Sequence, residues 1–183
     1  MTAPSSKTPS TARVIAYAVL WQIAWFAAVI PAGKGLPWVG VLAAIPVLVL
    51  GAWGRWQSAL ALCAVALPVG IVVDAALGLS GVARFPGGLL DGRLSTPWMW
   101  LLWLQLALAL DLCLNWLRRA WWLPLVFGAV GGALAYRAGV AFGAMEAPAG
   151  IPALLLCTAL AYLIAMPLLL RLSPCSTPSS SPV

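Results

Sequence analysis

Asp74, Asp91, Asp111 and Glu146 are the only carboxylates in this 183-residue chain, and no two are close in sequence. Histidine is absent, so no imidazole can act as general base, proton shuttle or metal ligand. The cysteines, Cys63, Cys113, Cys157 and Cys175, have no Cys-x-x-Cys spacing. The first three stand in apolar runs, where a thiol behaves as a small hydrophobe, and Cys175 stands in a Ser/Pro tail. No phosphate-cradling glycine loop, nucleophile elbow or dinucleotide fingerprint occurs. No metal, cofactor or catalytic set is therefore expected. Acid–base chemistry would have to rest on Asp74, Asp111 or Glu146 alone, which ranks an enzyme below a binding protein.

The elements that position these groups are apolar. Hydrophobic residues make up 63% of the chain and charged ones 8%, and the mean hydropathy is +1.02. Ten basic and four acidic side chains cannot give a water-soluble fold of this size its charged surface. The expected fold class is therefore all-α, an integral membrane bundle of six transmembrane helices over 14–30, 38–53, 58–77, 98–117, 120–140 and 151–170. The membrane domain, 14–171, lies between a flexible N-terminal tail, 1–13, and a disordered C-terminal tail, 172–183. The first span reads as a retained helix, because it contains Gln22 and ends in Ile30-Pro31-Ala32 without a cleavage site. The longest connection, 78–96, is the main extramembrane feature, and Pro97 suits the start of span four.

The charge of +6 is spread singly, or as one arginine pair, beside apolar stretches, which marks a membrane side and excludes nucleic acid as a partner. Lys7, Arg13, Arg55, Arg118, Arg119 and Arg171 share the side of the termini; Lys34, Arg84, Arg93 and Arg137 take the other. This bias puts both termini in the cytoplasm of a bacterial inner membrane. Trp38, Trp53, Trp56, Trp98, Trp100, Trp116, Trp121 and Trp122 fall near span ends, as an interfacial belt would.

Several residues sit where lipid alone does not explain them. Trp21, Trp25 and Trp103 lie inside spans, with Gln22 and Gln105 at similar depth. A buried amide in hydrocarbon needs a partner. Spans one and four are expected to share either an interhelical hydrogen bond, worth about 1 kcal/mol, or a small cavity lined by Trp and Gln. Asp74 and Arg137 are the one opposite pair at matching depth, and an ion pair between them is expected at the floor of an outward-facing vestibule under the 78–96 loop. Asp111, Asn115 and Arg118 would share one face of span four, either satisfying the carboxylate locally or relaying an ion or proton. Gly131, Ala135, Gly139 and Gly143 recur every fourth residue, with Gly128 and Gly132 as a second row. Such a face lets another helix backbone approach closely.

Taken together, Trp21-Gln22 with Trp25-Phe26, Val73-Asp74-Ala75, Pro97-Trp98 with Leu101-Leu102-Trp103, and Gly128 to Gly132 through Tyr136, Gly139 and Gly143-Ala144 resemble a family of uncharacterised bacterial polytopic inner-membrane proteins. The resemblance covers about 14–146 and implies a compact helix bundle with no established activity. Relatives with that pattern carry a histidine near the end of span two; 50–56 has none here, so no role of it carries over.

The function expected is a small-molecule or lipid binding or translocation module, for an amphiphile, a lipid or a vitamin-sized solute, with a polar cavity inside the bundle. Trp21, Gln22, Trp25, Asp74, Trp103, Gln105, Asp111, Tyr136 and Arg137 are its candidate lining. The alternatives are an accessory or catalytic subunit of lipid modification, and a scaffold that packs other membrane proteins, or a second copy, on the small-residue face of span five.

Overall fold

The computed structural model describes residues 10–172, which are helical apart from turns and one isolated bridge between Arg84 and Glu146. Six main helices run in order: α1 Thr11–Ala32, α2 Trp38–Ala52, α3 Trp56–Leu79, α4 Pro97–Leu112, α5 Leu123–Ala141 and α6 Ile151–Leu172. Both expected tails fall outside the described residues, except at their inner edges. There Ser10 caps α1, its hydroxyl accepting from Arg13 N at 3.4 Å, so the first helix starts at Thr11.

Four helices, α1, α3, α5 and α6, are long and apolar enough to cross a membrane. The apolar helices α2 and α4 have 15 and 16 residues, or about 22–24 Å at 1.5 Å per residue. Span four is shorter than its apolar run predicts. Its helix ends at Leu112, and a 3-10 turn over Asn115–Arg119 carries the chain onward. Asp111 and Asn115 rank low as helix formers, and Asp111 pairs with Arg55 at this end of the helix. Likewise α5 begins at Leu123, with Pro124 in its first turn, where a proline needs no amide hydrogen.

In lipid, hydrophobic burial does not drive helices together, so close approach of small residues must. The sequence supplies them at the crossings. Gly40 lies against Ala28 and Trp98, Gly51 against Tyr17 and Leu108, and Gly70 against Trp103. Helix α4 is the hub, packing on α1, α2 and α3; α6 packs on α3 and α5, and α1 on α2. Helices α1 and α5 stand apart along most of their length. Large apolar side chains such as Ile15, Ile23, Val72, Leu134 and Ile164 cover the outside, a surface that hydrocarbon tolerates and water does not.

The 78–96 loop is a packed cap. Phe85 is buried beside Trp98, Met99, Tyr136 and Met145, and its N–H donates to Gly92 O at 2.8 Å. Leu90 and Asp91 take positive φ, 52° and 55°, so the tip of the loop is strained backbone. Arg84 ties the cap together, donating to Asp91 Oδ1 at 2.8 Å and lying 3.8 Å from Glu146 Oε2, while the Arg84 and Glu146 backbones exchange two hydrogen bonds.

Candidate functional site

Where α1 and α5 part, a cleft of about 500 Å³ opens, floored by α4 and α6. Helical repeats build each wall. Trp21, Trp25 and Val29 recur every fourth residue on α1, with Gln22 beside them; Trp98, Leu102 and Leu106 do so on α4, with Met99 and Trp103 as a parallel row. Residues spaced by four lie on one helix face, so each helix turns one stripe inward. On α5 the stripe is small: Gly128, Gly131, Gly132, Ala135 and Gly139. Phe127 to Gly139, its two ends on α5, are twelve residues apart, about 18 Å, over half the thickness of a hydrocarbon core of about 30 Å.

The glycine stripe has two jobs. A Cβ at Gly128 would meet Met166, and one at Gly132 would meet Tyr162, so these two seat α5 on α6. A Cβ at Gly131 would meet nothing within 4 Å, so this position holds the cleft open. Gly139 lies against Met145, and Gly143, at φ 76°, serves the turn after α5.

Behind the cleft lies a buried polar centre. Trp103 stacks on Tyr162 with ring centroids 5.0 Å apart, and Tyr136 meets Tyr162 edge-on at 5.9 Å. Asp74, fully buried on α3, accepts through Oδ1 from the Tyr136 hydroxyl and from Trp103 Nε1 at 3.4 Å. Ser95 lies near the same carboxyl group, while Oδ2 closes no hydrogen bond. Gly70 makes room for this indole, since a Cβ there would come within 2.2 Å of the Trp103 ring. No ionised side chain lines the cleft. Its polar contacts come from the Gln22 amide, indole N–H groups and the hydroxyls of Tyr136 and Tyr162.

Five expected cavity residues, Trp21, Gln22, Trp25, Trp103 and Tyr136, thus line one cleft, and Asp74 stands directly behind it. Three others do not belong to it. Arg137 is exposed and Asp74 bonds Tyr136 instead, so the expected Asp74–Arg137 ion pair does not form. Successive helical residues point about 100° apart, so the turn that brings Tyr136 inward carries Arg137 out. Asp111 pairs with Arg55, not with Asn115 and Arg118. The helix ends between them, and Arg118 donates to Leu170 O at 2.6 Å. Gln105 is buried outside the cleft wall; its backbone oxygen accepts from Tyr17 at 2.7 Å and its amide has no partner. It makes no shared contact with exposed Gln22.

Tyr162, Trp98 and Met166 complete the cleft without having been singled out. Tyr162 was findable by the argument that flagged Gln22, a polar atom deep in an apolar span. Trp98 read as interfacial but is buried, and Trp100 gives its N–H to Ser95 Oγ at 3.0 Å. The exposed belt is therefore Trp38, Trp53, Trp56, Trp116, Trp121 and Trp122.

Residues 14–168, which hold the cleft and every main helix but the two chain ends, match a family described as a protein of unknown function, DUF2878. The chain belongs to the DUF2878 family. No curated protein and no solved structure matches it. For this DUF2878 protein the chemistry must therefore be read from its own side chains. Among the described residues, no three of His, Cys, Asp or Glu come together. What the DUF2878 cleft offers is an apolar trough with the Gln22 amide and two indoles on its α1 wall.

Proposed function

We propose that this chain is a multi-pass protein of the bacterial inner membrane that holds the hydrocarbon chain of a lipid or lipid-like amphiphile in the cleft between α1 and α5. The observation that carries the reading is the cleft itself: about 500 Å³, walled by tryptophans and by the open face at Gly131. A trough free of ionised groups suits an apolar chain, and an amphiphile's ester, hydroxyl or carbonyl would find donors in the Gln22 amide and in the indoles of Trp21 and Trp25.

The membrane arrangement behind this reading has six crossings, with both termini cytoplasmic. Helix α4 is enclosed by three others, so its shortness costs little, and its 3-10 extension of five residues adds about 10 Å. Helix α2 carries exposed Trp38 and Trp53 at its two ends, a pair of interfacial anchors. A scaffold role is weaker, because Gly128 and Gly132 are already used within the chain against α6.

The test is the lipid retained by purified protein in native mass spectrometry. Gly131→Leu should fold normally, fill the trough and lose the retained lipid several-fold. Equal retention by this variant and the wild type would overturn the reading.

A further inference from the structure

A second site stands at the end of the bundle that carries the C-terminus of α2 and the start of α1. Arg13 reaches across from the first turns of α1, and its Nη2 donates to Leu50 O at 2.9 Å and to Trp53 O at 2.6 Å. Two residues beyond Trp53, Arg55 pairs with Asp111 of α4. The two guanidiniums are neighbours. Burial first, and then the Arg13 charge, hold the Arg55 pKa below its ordinary value.

Part of this arrangement is explained by the fold. A cation at the last carbonyls of α2 satisfies groups that a helix leaves open, and Arg55 neutralises an otherwise buried carboxylate. Two features remain. Asp111 pairs with Arg55, and among the described residues Arg13 has no carboxylate partner, so the centre keeps a positive charge. Each arginine also has its Nε–H buried without an acceptor. An unspent donor on a half-buried guanidinium is costly unless an acceptor comes to it, and a guanidinium edge is shaped for a two-oxygen anion. Exposed Trp53 and Trp56 flank the pair, and indoles settle at the level of lipid headgroups. Arg118, Arg119 and Arg171 lie at the same end and add to the positive field.

We propose that Arg13 and Arg55 form a phosphate-binding site at this end of the bundle, which takes the phosphate of an anionic membrane lipid or a free phosphate ion. The site is independent of the lateral cleft.

The experiment is thermal unfolding of the full chain in uncharged detergent, titrated with phosphatidylglycerol, inorganic phosphate or diacylglycerol. Phosphatidylglycerol should raise the wild-type Tm by several degrees more than diacylglycerol, which has no phosphate and reports on the cleft alone. A response to inorganic phosphate as well shows a site that reads the ion whatever carries it; a response to the lipid alone shows a headgroup site. Arg13→Gln, which leaves the Arg55–Asp111 pair intact, should weaken the response at least fivefold. Should Arg13→Gln fail to fold, Arg13→Lys, which keeps the charge but not the fork, should still weaken it several-fold. Arg93→Gln at the far end and Gly131→Leu in the cleft should leave the excess of the phosphatidylglycerol response over the diacylglycerol response unchanged. No response in the wild type, an equal response to diacylglycerol, or an unchanged response in Arg13→Gln or Arg13→Lys would overturn the proposal.

Discussion

The Tyr136 hydroxyl donates to Asp74 Oδ1 and so joins α5 to α3, residues 62 apart in sequence. The two helices share few other close contacts, and α6 packs on both. The phenol adds to the packing of α5 on α6 in holding the far wall of the cleft against the core. Tyr136→Phe keeps the ring and removes the donor, leaving the buried carboxyl group with the longer Trp103 contact. A loss of about 1–3 kcal/mol in unfolding free energy is expected. In an Asp74→Asn background the same change should cost less, with a coupling above about 0.5 kcal/mol. Additive effects in this double-mutant cycle, read by denaturation in detergent, would show that the bond contributes nothing.

Gly70 and Gly131 look alike in the sequence and should behave oppositely. A Cβ at Gly70 falls 2.2 Å from the Trp103 ring, so Gly70→Ala must push the indole off Tyr162 and away from Asp74. Overpacking of this kind costs about 1–3 kcal/mol. Gly131→Ala meets open space and gains up to about 1 kcal/mol from helix propensity. Thermal unfolding of the two variants checks the sign. Equal destabilisation of both would mean that the cleft is closed in solution.

Arg137 tests the discarded ion pair. Arg137→Ala removes an exposed side chain with no partner on Asp74, so stability should change by less than about 0.5 kcal/mol. Removing one member of a buried pair would cost about 3–5 kcal/mol, a difference that chemical denaturation resolves easily.

The failure over Arg137 shows what the sequence carried and what it did not. Depth along a span is legible, because hydropathy fixes where each helix sits; Asp74 and the residues around 137 do meet at one level. Rotation about the helix axis is not, because in lipid both faces of a span are apolar and no alternation marks the inner one. The choice between Tyr136 and Arg137 turned on that missing angle. Trp21, Trp25 and Gln22 were legible as a cavity wall because they are costly on a lipid-facing surface without a reason. Trp98 was not, since a tryptophan at a helix end suits an interface equally well. The Arg55–Asp111 pair joins elements far apart in sequence, and neither residue announces its partner. The end of α4 at Leu112 was hidden by the apolar residues that continue through Leu117.

The proposed six-crossing arrangement has its own consequence for labelling. Lys34 and Arg93 are exposed at one end of the bundle, and Gln57 and Arg119 at the other. With Cys63, Cys113, Cys157 and Cys175 replaced, Lys34→Cys and Arg93→Cys should react with an impermeant maleimide on intact inner-membrane spheroplasts. Gln57→Cys and Arg119→Cys should react only after permeabilisation. If α2 failed to cross, Lys34 and Gln57 would label from the same side, because α2 is the one helix between them. If α4 failed to cross, Arg93 and Arg119 would behave alike for the same reason. The two pairs therefore test the two short helices separately. The positive-inside bias of the Gln57 end sets the expected direction, with five arginines among the described residues at that end against three arginines and one lysine at the other.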